Sequence, residues 1–127
     1  MKIFLDTADT AVIRKHFATG LVDGVTTNPT LIMKSGQDPE DVYQEIVDIG
    51  LPDISMEVVG DGNEMVAEGK RLSQKFGEVA TIKVPCTRGG LAACKVLSNN
   101  GIKVNVTLIF NAAQAILASK AGATYVS

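Results

Sequence analysis

Apolar residues fall along the chain in short runs, about 20 to 30 residues apart. The runs are KIFLD (2–6), GVTTN (24–28), ISMEVV (54–59), ATIKVPC (80–86), KVNVTLI (103–109) and ATYVS (123–127). Their Val, Ile and Thr content predicts strands. The segments between them carry helix punctuation. TADTAVIRKHFATG opens on Thr and Asp and closes at Gly20, and DPEDVYQEIVDIG has Pro39 and acids in its first turn and closes at Gly50. EMVAEGKRLSQKFG, RGGLAACKVLSNNG and AAQAILASKAG end on glycine in the same way. This alternation predicts a parallel α/β sheet with right-handed crossovers. No repeat, low-complexity tract or linker interrupts it, so residues 1–127 are expected to form one domain. Two architectures fit: an open, doubly wound sheet, or part of a (β/α)8 barrel, which needs about 200 residues when whole. Both gather ligands at the carboxyl ends of the strands.

Polar residues break the apolar runs at those ends. Side chains two apart share a strand face. Asn105 and Thr107 therefore oppose Val104, Val106 and Leu108, while Ser55 and Glu57 oppose Ile54, Met56 and Val58. Lys83 opposes Ile82 and Val84, and Asp6 opposes Leu5. A strand covered by helices on both faces reads as a continuous apolar run. Asp6, Asn28, Glu57, Lys83, Asn105 and Thr107 break that rule in five runs, and a barrel would aim all of them into one lumen. Each also has a plain reading. Asp6 suits a helix cap, Asn28 before Pro29 suits a turn, and Thr107 suits an ordinary strand position. Glu57 and Lys83 suit a structural ion pair. The chemical reading of Lys83 rests on burial, which favours the neutral, nucleophilic amine over the ammonium. Such an amine condenses with ketones. The proton transfers that follow call for a carboxylate, a hydroxyl and a positioned water, which these residues supply.

Composition narrows the partners. With 46% hydrophobic and 20% charged residues, the chain can bury a core and is not disordered by composition. A net charge of -2 and the lack of a basic cluster argue against nucleic acid. No apolar run reaches membrane-spanning length, and MKIFLDTADT lacks the apolar region of a signal peptide. Cys86 and Cys94 have no zinc or CxxC spacing and are expected to be reduced thiols of a cytoplasmic protein. His16 lies in a helical segment and is expected at the surface or in packing. There is no P-loop, GxGxxG or GxSxG motif and no metal-ligand cluster. Gly89 and Gly90, in CTRGGLAA, suit a phosphate at a helix start, but flexible punctuation is the commoner role.

LDTAD, GVTTNPTLI, KVPCT, VNVTLIFNAAQA and AGATYVS together resemble the transaldolase family in its small, single-domain form, a group that includes the fructose 6-phosphate aldolases. The resemblance runs from Met1 to Ser127 and implies the barrel, here as about five βα units plus a sixth strand. It implies that Lys83 forms a Schiff base with the dihydroxyacetone unit of a ketose phosphate. Asp6 is then the acid/base for carbon–carbon cleavage, and Glu57 and Thr107 hold the water of imine formation. Thr27, Asn28, Asn105 and Ser127 are the implied substrate-binding residues. No cofactor or metal is expected. The implied reaction moves dihydroxyacetone from sedoheptulose 7-phosphate to glyceraldehyde 3-phosphate, in the pentose phosphate pathway. Glutamate at 57, asparagine at 105 and serine at 127 side with transaldolase, since the bacterial aldolase carries glutamine, an apolar residue and alanine there. The aromatic that separates the two activities falls beyond Ser127 in the family. So do the phosphate-binding arginine and serine, the last strands and the helix of its decameric ring. A homo-oligomer of sugar-phosphate-binding subunits is expected. The alternatives are a fructose 6-phosphate aldolase, or an inactive partial barrel that serves only to oligomerise.

Overall fold

The computed structural model describes residues 1–127, the side chain of Ser35 excepted. Six strands, β1 (Phe4–Asp6), β2 (Gly24–Thr26), β3 (Ile54–Glu57), β4 (Ala80–Pro85), β5 (Lys103–Thr107) and β6 (Tyr125–Val126), alternate with helices. The helices are α1 (Thr10–Phe17), α2 (Pro29–Ser35), α3 (Pro39–Ile49), α4 (Gly62–Phe76), α5 (Arg88–Asn99) and α6 (Ala112–Ala121). All six apolar runs contain a strand, and the five helical segments match α1 and α3 to α6, with α4 starting two residues earlier than its segment, at Gly62. The extra helix α2 escaped the apolar pattern because it is only seven residues long. Its start is fixed by Asn28, whose side chain accepts from the Leu31 N–H, with Pro29 in the first turn. Asp61 and Glu64 form a capping box on α4. α3 stops at Gly50, whose φ of 100° strains any residue with a Cβ.

Every strand pair is parallel and the spatial order follows the chain, β1-β2-β3-β4-β5-β6. A doubly wound sheet would reverse order at a switch point. Here there is no reversal, and the sheet curls. The rings of Phe4 in β1 and Tyr125 in β6 meet edge to face, with centroids 5.4 Å apart, although five strand pairings separate their strands. Gly24 makes room for this contact, since a Cβ there would lie 2.4 Å from the Phe4 ring. The molecule is thus a half-barrel, the partial form of a (β/α)8 fold.

The outer strand face carries Val25, Ile54, Met56, Ile82, Val84, Val104 and Val106, all buried against helix residues such as Ile13, Ile46, Met65, Leu72 and Leu97. Gly69 of α4 lets Ile82 and Leu97 pack close, both about 3.1 Å from where its Cβ would stand. The inner face holds the buried polar residues Asp53, Ser55, Thr81, Lys83 and Asn105. Alternation has therefore sorted the strands into an apolar wall and a polar lumen.

Candidate active site

Parallel register sets the lumen residues in rows. Glu57 pairs with Lys83, and Lys83 with Asn105. Asp6 pairs with Thr26, and Thr26 with Ser55. Lys83 is 7% exposed, and its Nζ donates to the Thr27 carbonyl at 3.0 Å and lies 3.2 Å from Glu57 Oε2. The ion pair of the plain reading is therefore present. It stands at the wall of an open cleft of about 550 Å³, lined by Asp6, Asn28, Glu57, Lys83 and Thr107 together with the apolar residues Pro29, Leu31 and Leu108. A buried amine, two carboxylates, an amide and a hydroxyl thus reach one space at the carboxyl ends of the strands.

Asp6 does not cap α1. Asp9 does, accepting from the N–H groups of Ala11 and Val12. Asp6 Oδ1 instead accepts from Thr26 Oγ1 at 2.9 Å, which orients the carboxylate while leaving it exposed to the cleft. Asn28, which the sequence suits to a turn, instead caps α2, and it also lines the cleft. Asn105, 2% exposed, donates to Ser55 Oγ at 3.2 Å and accepts from Ser127 Oγ at 3.0 Å. Asn105 and Ser127 line a second, smaller cavity of about 190 Å³, beside Phe4, Thr26 and Tyr125.

Thr27 is not brought to the cleft by its side chain. Its hydroxyl is fully buried and donates to the Ser55 carbonyl at 3.0 Å, and what it offers the site is its own carbonyl, to Lys83. The lumen-facing threonine of GVTTN is Thr26, which sequence reasoning passed over. Tyr43 of α3 was passed over too. It is 4% exposed and packs edge to face on Phe76, and the Thr27 side chain and Glu57 backbone near its hydroxyl favour the ionised phenol. Burial outweighs them and pushes its phenol above the ordinary value. Tyr43 thus packs behind Thr27 and Glu57, the partners of Lys83.

Gly90 is required by packing, not flexibility. A Cβ there would sit 1.9 Å from the Pro85 carbonyl oxygen, and its N–H is taken by the Thr87 cap. His16 is exposed on α1, and both cysteines are free thiols. Among the described residues, no three His, Cys, Asp or Glu side chains are grouped to hold a metal, and no helix is long and apolar enough to cross a membrane. A larger depression of about 780 Å³, between Pro52, Val79 and Lys103, lies at the amino ends of the strands and holds none of the candidate residues.

The family model described as Transaldolase/Fructose-6-phosphate aldolase matches residues 3–127. The chain is 57% identical to a probable transaldolase of Paracoccus denitrificans (strain Pd 1222) and 54% identical to one of Nitrosopumilus maritimus (strain SCM1). Both alignments cover all of this chain but only 58% and 57% of those proteins, so the chain spans a little over half the length of such relatives. Among solved structures, it is similar to the carboxyl transferase domain of Rhizobium etli pyruvate carboxylase, with a TM-score of 0.59 over 98% of this chain and 26% of the other. At 16% identity that likeness speaks for the fold alone.

Proposed function

The chain belongs to the transaldolase/fructose-6-phosphate aldolase family, and from that premise we propose that the whole protein is a transaldolase, moving a dihydroxyacetone unit between sugar phosphates through an imine on Lys83. The observation that carries this reading is the convergence of Lys83, Glu57 and Asp6 on one cleft. The Lys83 amine attacks the ketone carbon of the donor, and loss of water leaves the imine. Glu57, 3.2 Å from Nζ, is placed to take a proton from the ammonium and to return one to the departing water. Thr107 lines the same space and supports a water there. Asp6, steered by Thr26, takes the hydroxyl proton as the carbon–carbon bond breaks, and the enamine left on Lys83 then adds to the acceptor aldehyde.

The Asn105–Ser127 hydrogen bond favours transfer over simple cleavage, because an apolar residue and an alanine cannot make it. Asn105, Ser127 and Asn28 would then hold the dihydroxyacetone hydroxyls. The test is an assay at the full length of the relatives, with fructose 6-phosphate in the presence and absence of an acceptor aldose phosphate. Turnover that depends on the acceptor supports transaldolase; efficient cleavage without it identifies an aldolase. Remote binding energy normally drives the chemical step. The 127-residue chain is therefore expected to turn over little where phosphate contacts are lacking.

A second reading concerns assembly. The outer edges of β1 and β6 are unpaired, and Met1, Ile3, Phe110, Ile116, Leu117 and Val126 are exposed. Such edges and apolar surface favour association with another copy. Sedimentation showing a clean monomer of the 127-residue chain would count against it.

A further inference from the structure

Among the described residues, Leu108 is the one non-glycine with a positive φ, 64°. That left-handed conformation is unfavourable for leucine, whose Cβ crowds the following carbonyl. It persists only where the surroundings impose it, and such places cluster at ligand clamps. Both neighbours of Leu108 are tied down. The Thr107 carbonyl accepts from the Cys86 N–H at 2.9 Å, and the Ile109 N–H donates to the Ser127 carbonyl at 3.0 Å. The strain does not serve core packing, because the leucine is 55% exposed. A glycine would make the same turn without strain, so the side chain is what the turn presents. It is presented to the Lys83 cleft, as the most exposed of the three apolar residues, with Pro29 and Leu31, among an otherwise polar lining.

We propose that Leu108 contacts the substrate, its side chain packing on the carbon skeleton of the ketone held by Lys83 and shielding the imine from water. This rests on the imine chemistry proposed above. An imine forms as the carbonyl oxygen leaves as water and reverts when water returns, so an apolar cover raises the amount present at any moment. The carbon chain of a ketose offers C–H groups between its hydroxyls, which suit a leucine methyl pair.

The experiment uses the 127-residue chain with dihydroxyacetone and cyanoborohydride, and follows the rate at which reduced adduct accumulates on Lys83 by peptide mass spectrometry. Leu108→Gly relieves the backbone and removes the side chain, Leu108→Asn keeps a residue tolerant of positive φ but polar, and Leu108→Met keeps an apolar cover. Glycine and asparagine are expected to slow trapping about tenfold, the worth of a half-buried leucine contact. Their thermal midpoints should equal or exceed that of the unsubstituted chain, and methionine should retain its trapping rate. Equal rates in all four chains would overturn the role of Leu108 while leaving the imine chemistry standing. A rate that falls only in step with the thermal midpoint, or is lost with methionine, would overturn it as well. No adduct on Lys83 in the unsubstituted chain, nor in the protein at the full length of the relatives, would overturn both proposals.

Discussion

Asp53 stands one layer beneath the site, and replacing it by alanine should cost the fold a large share of its stability. Its carboxylate is 4% exposed and accepts three hydrogen bonds: from Thr81 Oγ1 at 2.7 Å, Lys103 Nζ at 2.9 Å and Tyr125 OH at 3.0 Å. These partners come from β4, β5 and β6, so one side chain just ahead of β3 ties four strands in register. Alanine orphans the Thr81 hydroxyl, which is fully buried, at about 1 to 3 kcal/mol. Lys103 loses its counter-charge but is 31% exposed and can turn to water, which limits its share to about 1 kcal/mol. Tyr125 keeps the hydrogen bond donated by Lys2. The sum is about 2 to 4 kcal/mol, which overlaps the range for breaking one side of a buried pair. Asparagine can still accept from Thr81 and should cost about half as much. Urea unfolding followed by circular dichroism, at one protein concentration, measures both. A cost below about 1 kcal/mol for alanine, or equal costs for the two variants, would mean that Asp53 does not hold these strands together.

Three further outcomes are expected. Gly90→Ala should destabilise by about 2 to 3 kcal/mol in the same urea assay, because its methyl meets the Pro85 carbonyl oxygen at 1.9 Å; Gly89→Ala, whose methyl meets nothing nearer than 3.4 Å, should be neutral or slightly stabilising. Tyr43→Phe should cost under about 1 kcal/mol at pH 7. The fold raises the Tyr43 pKa, so the stability it lends is present below the ordinary value of 10.0 and fades as pH rises through the raised one; the phenylalanine variant should lose less between pH 9 and pH 11, and parallel losses would contradict this. On the α3–α4 surface, Lys75 and Arg71 hold Glu40, and Arg71 holds Glu68, below the ordinary glutamate value of 4.5. That stability is present above pH 4.5 and lost as pH falls further; these groups are half-buried to exposed and screened by water, so Glu40→Gln should remove under about 1 kcal/mol of it, and added salt should shrink the difference from the unsubstituted chain.

Much of this architecture is legible in the sequence. Period-two alternation placed Asp6, Glu57, Lys83, Asn105 and Thr107 on one face, and a parallel sheet in chain order carries them to one end. What was not legible depends on partners distant in the chain. GVTTN offers two adjacent threonines, and only pairing with Asp6 and Ser55 decides that Thr26 faces the lumen and Thr27 the helices. Asp53 precedes its apolar run, so no pattern marks it, and its role appears only when residues 28 to 72 positions away close around it. α2 is too short for helical periodicity to declare itself. Leu108 looks like one more apolar strand residue until its backbone turns, a conformation no residue-type preference foretells.

Lys83 is proposed as the nucleophile and not merely as half of an ion pair. Borohydride reduction of the 127-residue chain with dihydroxyacetone, followed by peptide mapping, separates the two roles. One reduced dihydroxyacetone is expected per chain, on Lys83, with none on Lys83→Met, a variant whose folded circular dichroism spectrum should be retained. Adduct on Lys95, Lys103 or another lysine, or adduct that persists undiminished in the methionine variant, would contradict the account and leave Lys83 as the structural partner of Glu57.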